Sequence, residues 1–162
     1  GLLELSESSS RMVSLGDEGQ RASENGLLES RLWGWMSELG GEKRTMKSLM
    51  SSDFERAETG PGIGILKGLG IEIESGIFII SDDSKVSREI DRRSKFVLSL
   101  SEGAVESSNL DSEMLSHFSS RSGLLNFEEI TIRTWKLILI RSKNAYYSIQ
   151  QPVLLQNLSH KK

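Results

Sequence analysis

The stretch from residue 60 to residue 81 reads Gly-Pro-Gly-Ile-Gly-Ile-Leu-Lys-Gly-Leu-Gly-Ile-Glu-Ile-Glu-Ser-Gly-Ile-Phe-Ile-Ile-Ser, and its pattern decides the fold class. Most of its isoleucines lie two residues apart, a spacing typical of strands, in which alternate side chains share one face. Isoleucine favours strands, and the glycines at 68, 70 and 76 favour turns or bulges. The stretch therefore predicts a β-meander that begins after a break at residues 59–62.

The residues before this stretch predict two helices and, at the start of the chain, two short strands. The first helical stretch is predicted to begin at Gly16-Asp17. Apolar residues recur in it at helical spacing from Leu28 to Leu39, and the two glycines that follow favour its end. A second helix is predicted over residues 42–57. Residues 2–5 and 11–15 are predicted strands, joined by a turn at the intervening serines, because serine competes for local backbone hydrogen bonds.

The residues after the stretch complete the predicted fold. Residues 81–94 predict a loop or a short helix, residues 95–100 a strand, and residues 102–112 another loop. Asn126 favours the start of a C-terminal helix, since asparagine caps helices and two glutamates follow in the first turn. Residues 145–162 are predicted to be a tail. The order of elements predicts an α+β fold, with a mostly antiparallel sheet packed against helices and a C-terminal helix.

The composition limits the class of protein. A chain of 162 residues suits one main domain, predicted over 1–122, followed by a C-terminal helix and tail over 123–162. The net charge of −3 gives no overall positive field for non-specific binding of nucleic acid. The absence of cysteine excludes disulfides, thiolate metal sites and cysteine nucleophiles. No run of about 18 apolar residues occurs, so no membrane-spanning helix is predicted.

No complete catalytic centre can be assembled from neighbouring residues, so we predict no cofactor, no metal site and no catalytic activity of the chain's own. His117 and His160 lie far apart and lack local partners for a metal site or a triad. Residues 60–68 resemble a phosphate loop but lack the Gly-Lys-Ser/Thr ending and precede strand-like sequence. The carboxylates between residues 82 and 91 alternate with cations, which predicts a self-neutralising polar loop.

Trp33 and Trp35 are the most informative aromatic residues. On a helix, two residues at this spacing point about 200° apart, so one can lie in the core while the other lines a surface or pocket. An exposed tryptophan beside a carboxylate such as Glu29 or Glu38 suits a stacked purine, because the ring stacks and the carboxylate accepts N–H donors. The alternative is that both rings are partly buried against the sheet.

Seven short segments follow one another in a specific order along the chain. They read Arg-Met-Val-Ser-Leu-Gly (11–16), Gly-Ile-Gly-Ile-Leu (62–66), Ile-Glu-Ile-Glu-Ser (71–75), Gly-Ile-Phe-Ile-Ile-Ser (76–81), Phe-Val-Leu-Ser-Leu (96–100), Thr-Trp-Lys-Leu-Ile-Leu-Ile-Arg (134–141) and Gln-Pro-Val-Leu-Leu (151–155). This order resembles the cap-binding middle region of the second basic polymerase subunit of influenza-like (orthomyxo-) viruses. In that family an Ile-Gly-Ile-Leu strand, an Ile-Glu strand and a Gly-Val-x-Ile-Ser strand succeed one another.

The resemblance implies a non-catalytic, cap-binding-like domain that takes part in cap snatching and viral transcription. The implied partners are the other polymerase subunits and capped RNA, and the implied location is the host cell nucleus. In the family, the 7-methylguanosine cap is held between two aromatic rings, with a glutamate and a lysine on the guanine edge. By position, Glu7 is the acid nearest to that glutamate, and Arg31 is one of two cations where the lysine falls. Trp33 or Trp35 would supply a ring, so these four residues are the candidate cap-binding set.

A structural or protein-interaction module without a nucleotide pocket is the alternative prediction. It rests on the polar cap contacts of the family that this sequence lacks, on the serine-rich loops and on the exposed C-terminal helix that the sequence predicts. The two predictions differ in whether a tryptophan responds to a nucleotide.

Overall fold

The computed structural model of the chain describes residues 2–141 and 145–153, with side chains up to Leu137. The fold is α+β with antiparallel sheet packed against helices, as predicted. The elements are β1 (Leu2–Leu15), α1 (Asp17–Asn25), α2 (Leu28–Glu38), α3 (Met46–Met50), α4 (Arg56–Gly68), β2 (Ile71–Glu74), β3 (Ile77–Ile80), α5 (Asp83–Ser99), β4 (Val105–Glu106), α6 (Ser112–Ser119), β5 (Leu125–Arg141) and β6 (Ala145–Val153). One sheet has the strand order β4-β1-β5-β6, and the other is the hairpin β2-β3.

β1 is one continuous strand, so the predicted serine turn within residues 2–15 is wrong. It pairs with β5 along its whole length, from Leu2 opposite Ile138 to Leu15 opposite Leu125. This ladder gives the serine backbone groups regular partners, and it therefore outcompetes the local hydrogen bonds that favour a turn. At the C-terminal end of the strand, Val13 and Leu15 are buried.

α4 occupies the predicted break and the first part of the predicted meander, and both of those predictions are wrong. Its buried residues Gly62 and Leu66 are four apart, as on one face of a helix. Gly62 lies against α2, where an added Cβ would be 2.7 Å from Cδ1 of Leu32. Pro61 lies inside the helix. Ile63 and Ile65, which are two residues apart, therefore lie half-buried on either side of the buried face of this helix and do not form a strand.

The later part of the meander is confirmed as the hairpin β2-β3. Glu74 pairs with Ile77, and the two residues between them, Ser75 and Gly76, form the turn. Both have positive φ, 52° and 80°, as a type I′ turn requires. This turn matches the twist of the flanking strands, and it places Ile71 and Phe78 in the core.

Two predictions on either side of the hairpin need correction. The second helix, predicted over 42–57, is reduced to the five-residue α3. α5 covers most of residues 81–94, for which a loop or a short helix was predicted. It also covers residues 95–99, so the strand predicted over 95–100 is wrong. It begins where Asp82 accepts a hydrogen bond from the Lys85 amide at 2.9 Å. Its buried residues Val86, Ile90 and Val97 share one helical face.

The predicted C-terminal helix is wrong, because residues 125–141 form the strand β5. Asn126 lies within this strand, opposite Ser14, and does not cap a helix. Isoleucine and threonine from residue 130 onward favour a strand, and pairing with β1 on one side and β6 on the other decides between the two structures. Part of the predicted tail forms β6. The division predicted after residue 122 thus separates strands of one sheet.

The core consists of two clusters of buried apolar side chains. The first contains Val13, Leu15, Leu27, Phe96, Val97, Leu100, Met114, Phe118 and Leu124. The second contains Leu32, Met36, Leu49, Leu66, Leu69, Ile71, Phe78, Val86 and Ile90. Only the first includes residues of the larger sheet. α5 contributes to both clusters and therefore joins them.

The corner between β1 and α1 packs closely on the segment before β5. The Gly16 amide donates to the Leu124 carbonyl at 2.9 Å, and the Glu18 amide donates to the Gly123 carbonyl at 3.0 Å. At Gly19, an added Cβ would overlap the carbonyl oxygen of Leu124. The absence of a side chain at Gly19 therefore permits this contact.

Candidate functional site

The four predicted cap-binding residues lie in different surroundings. Glu7 is on β1, where its carboxylate forms an ion pair with Arg133 on β5, with 2.7 Å between Oε1 and Nε. Arg31 is on α2 and pairs with Glu58 of α4. This pairing lowers the pKa of Glu58 below its usual value, chiefly through the hydrogen bond from the guanidinium. Glu7 and Arg31 are thus each engaged by a charged partner of their own.

Trp33 and Trp35 are both half-buried on α2, and they face different neighbours. Trp35 makes edge-on contacts with Phe54 and Phe78, with ring centroids 6.4 and 6.3 Å away, so it packs on the second core cluster. Trp33 lines a depression of about 460 Å³ together with Asp83, Ser84, Ser87 and Arg88. No second aromatic ring is among these lining residues. The depression therefore offers one stacking face with a carboxylate beside it.

A buried carboxylate links α2, α5 and the segment that follows α6. The Glu29 side chain on α2 is 0% exposed. Its Oε1 accepts from Nη1 of Arg121 at 2.8 Å and lies 3.5 Å from Nη1 of Arg93 on α5. Its Oε2 has no hydrogen-bond partner among the described residues. Sequence reasoning missed this cluster, although an acidic residue at the same helical spacing as Leu32 and Met36 was a usable signal.

Beside this cluster lies a cavity of about 760 Å³ with a mainly apolar lining. His117 lines it, and Nε2 of its imidazole is buried without a partner in the described structure. Burial lowers the pKa of His117 below 6.5, and the nearby guanidinium groups of Arg93 and Arg121 lower it further, whereas Glu29 opposes them. The neutral imidazole is therefore the favoured form in the folded chain.

We expect acid to destabilise the fold through His117. Below pH 6.5 the unfolded chain binds a proton that the folded chain resists, so stability falls as the pH drops from 6.5 through the folded-state pKa. Urea unfolding of the wild type and of His117→Gln, above and below pH 6.5, measures the effect. The variant should lose less stability across this window. Equal losses in the two proteins would contradict the assignment.

A second cavity, of about 590 Å³, lies between the end of α4, α5 and the start of α6. Its lining contains the cations Lys67, Lys85, Arg88, Arg92 and Arg93, and the carboxylates Glu89 and Glu113. We call it the basic cavity. The sequence placed most of these cations in a self-neutralising loop, and α5 instead arranges them along one helical stripe.

The paired strands β1 and β5 carry an exposed apolar patch. Leu3 and Leu5 are 65% and 43% exposed, and Trp135 is 45% exposed. Leu5 lies directly opposite Trp135 in the register, and Leu3 lies two residues along on the same face. β4 pairs with β1 only at Met12 and Val13. Among the described strands, none pairs with the outer edge of residues 2–9, which we call the free edge.

Within the described ranges, no group of three or more histidine or acidic residues could hold a metal ion. None of the described helices has both the length and the hydropathy to cross a lipid bilayer. Comparisons with protein-family models, with curated proteins and with solved structures found no match to this chain.

Proposed function

We propose that the chain is a protein-interaction module in which the free edge of β1 binds an extended segment of another protein. The observation that supports this proposal is the edge of residues 2–9, with which none of the described strands pairs, beside the exposed side chains of Leu3, Leu5 and Trp135. Eight residues of strand extend about 26 Å, enough to pair with a short peptide. Backbone pairing at such an edge supplies affinity, and alternate side chains supply specificity.

Another protein fits this edge better than a second copy of the chain. A two-fold antiparallel pair keeps each side chain on its own face of the sheet, so residue i of 2–9 would lie opposite residue 10 − i or 12 − i of the copy. Leu3 would then face Glu7 in the first register and Ser9 in the second. A leucine gains little against a glutamate or a serine, so self-pairing would leave Leu3 without an apolar partner. The edge instead suits an extended segment with alternating apolar residues and a cation opposite Glu4.

A synthetic ten-residue peptide of alternating valine and lysine tests the proposal. We expect it to slow amide hydrogen exchange along residues 2–9, because backbone groups that face water become paired. The same peptide with methylated backbone nitrogens keeps the side chains but cannot donate, and it should have no effect. Unchanged exchange at residues 2–9 with the unmodified peptide, or equal protection by both peptides, would overturn the proposal.

The apolar patch should contribute to the affinity for this peptide. Leu3→Ser/Leu5→Ser removes two exposed side chains from the patch, and we expect the Kd to rise by at least about fivefold. Met50→Ser/Leu98→Ser is the matched control, since it removes two exposed apolar side chains from helices elsewhere. Titration followed by NMR amide shifts measures both. A similar rise in both double variants would show that the patch has no specific role.

A second candidate function is recognition of a nucleotide base by Trp33. It is favoured by the depression in which the half-buried ring lies with the Asp83 carboxylate and the Arg88 guanidinium. This is also where the cap binding implied by the resemblance would occur, within a viral polymerase and its subunits. Stacking on one face only should give weaker discrimination of the methylated cation than a two-ring sandwich.

Tryptophan fluorescence during titration with 7-methyl-GTP and with GTP tests this candidate. We expect stronger quenching by the methylated ligand, and loss of the response in Trp33→Ala. Trp35→Phe should retain the response, because Trp35 packs on Phe54 and Phe78 and phenylalanine preserves part of that contact. The absence of any response in folded wild-type protein would remove the candidate.

A further inference from the structure

The cations of the basic cavity differ in whether they already have an anionic partner. Nη2 of Arg92 donates to Asp111 at 2.6 Å and to Glu113 at 2.8 Å. The Arg92 guanidinium in turn holds the pKa of Asp111 below its usual value. Nε of Arg93 donates to Glu89 at 3.1 Å. The two arginines at the wall of the cavity are therefore neutralised within the fold.

The other three cations have no such partner. Lys67, Lys85 and Arg88 are exposed at the rim, and none of them forms an ion pair with the side chains that the structure describes. Arg88 uses only its Nε, which donates to the Ser84 carbonyl at 3.2 Å, so both terminal nitrogens stay available. A concave site with three uncompensated charges contrasts with the net charge of −3 of the whole chain.

We infer that the basic cavity binds a small ligand that carries two or more phosphate groups. Three uncompensated cations on two helices exceed what one carboxylate can neutralise, whereas a polyphosphate matches them in charge. The Arg88 guanidinium presents paired N–H donors, a geometry that suits phosphate oxygens. The only apolar side chain in the lining is that of Leu69, so recognition in this cavity is mainly ionic.

Arg88 connects the basic cavity to the Trp33 depression, because it lines both. The phosphate could thus belong to a free polyphosphate or to a nucleotide whose base stacks on Trp33. Both ligands share the same phosphate chemistry, and neither involves the free edge of β1. Comparison of inorganic triphosphate with GTP separates the two sources.

Isothermal titration calorimetry of the whole chain with inorganic triphosphate is the test, and circular dichroism confirms that each variant is folded. We expect binding that weakens with salt, and a rise of at least about tenfold in Kd for Lys85→Gln/Arg88→Gln. Lys43→Gln/Lys47→Gln removes the same charge from exposed lysines outside the cavity, and it should leave the Kd within about twofold.

The outcomes are distinct. No binding by the folded wild type, or equal weakening in the two double variants, would overturn the inference, since the second result indicates a bulk charge effect. Tighter binding of GTP than of triphosphate, with the difference lost in Trp33→Ala, supports a nucleotide that spans both sites. Equal binding of both ligands, unaffected by Trp33→Ala, supports a polyphosphate site and separates it from the Trp33 candidate.

Discussion

Replacement of Glu29 by alanine should destabilise the protein by about 3–5 kcal/mol, the range for removal of one partner from a buried ion pair. The Glu29 carboxylate is fully buried and contacts the guanidinium groups of Arg121 and Arg93. Without it, the mostly buried Arg121 loses its carboxylate partner, and Arg93 beside it keeps only Glu89. Urea unfolding followed by circular dichroism measures the change in the free energy of unfolding.

The matched control for this prediction is Glu58→Ala. Glu58 also pairs with an arginine, Arg31, but that pair is near the surface, with side chains 29% and 38% exposed. Water screens such a pair, so we expect a loss below about 1 kcal/mol. Similar losses for the two variants would show that the buried cluster has no special part in holding the helices together.

Replacement of Gly19 by alanine should destabilise the protein by about 1–3 kcal/mol, the usual cost of an added methyl group in a tightly packed site. The new Cβ would overlap the Leu124 carbonyl oxygen and lie 3.0 Å from Cδ2 of Leu15. The first of these is a backbone atom, so relief requires movement of the segment before β5. Thermal unfolding of the variant measures the loss.

Gly34→Ala provides a control of opposite sign. Gly34 also lies inside a helix, α2, but an added Cβ there would have no atom within 4 Å. Alanine favours helix over glycine by about 1 kcal/mol, so this variant should be more stable than the wild type. If both alanine variants shifted stability in the same direction, close packing at Gly19 would not be the cause of its effect.

The parts of the fold that could be predicted are those decided by local sequence. The hairpin β2-β3 follows from isoleucine alternation and from a turn that needs Gly76. α2 follows from its apolar spacing. α4 was misread because glycines and Pro61 resemble a break, whereas contact with Leu32 selects the helix. β5 was misread because Asn126 and its glutamates resemble a helix start, and only pairing with the distant β1 decides the structure.

The candidate sites also differ in whether local sequence or tertiary contact determines them. The sequence singled out Trp33 and Trp35 and offered partial burial of both rings as one of two alternatives, and both rings are half-buried and pack on the second core cluster. It could not bring Trp33 beside Asp83, since these residues belong to different helices. The basic cavity was hidden for the same reason, because its lining comes from α4, α5 and α6. Tertiary packing brings these residues of different helices together, and the periodicity within one helix does not indicate which other helix packs beside it.

The long pairing of β1 with β5 has a consequence for the order of folding during synthesis. The second core cluster lies wholly between Leu32 and Ile90, so its residues are all available once Ile90 has left the ribosome. The first cluster needs Leu124, and β1 needs residues 125–138. Closure of so long a loop is slow compared with local helix formation. We therefore expect the second core cluster to form first, while β1, although it precedes that cluster in the chain, is among the last of the described elements to find its partner.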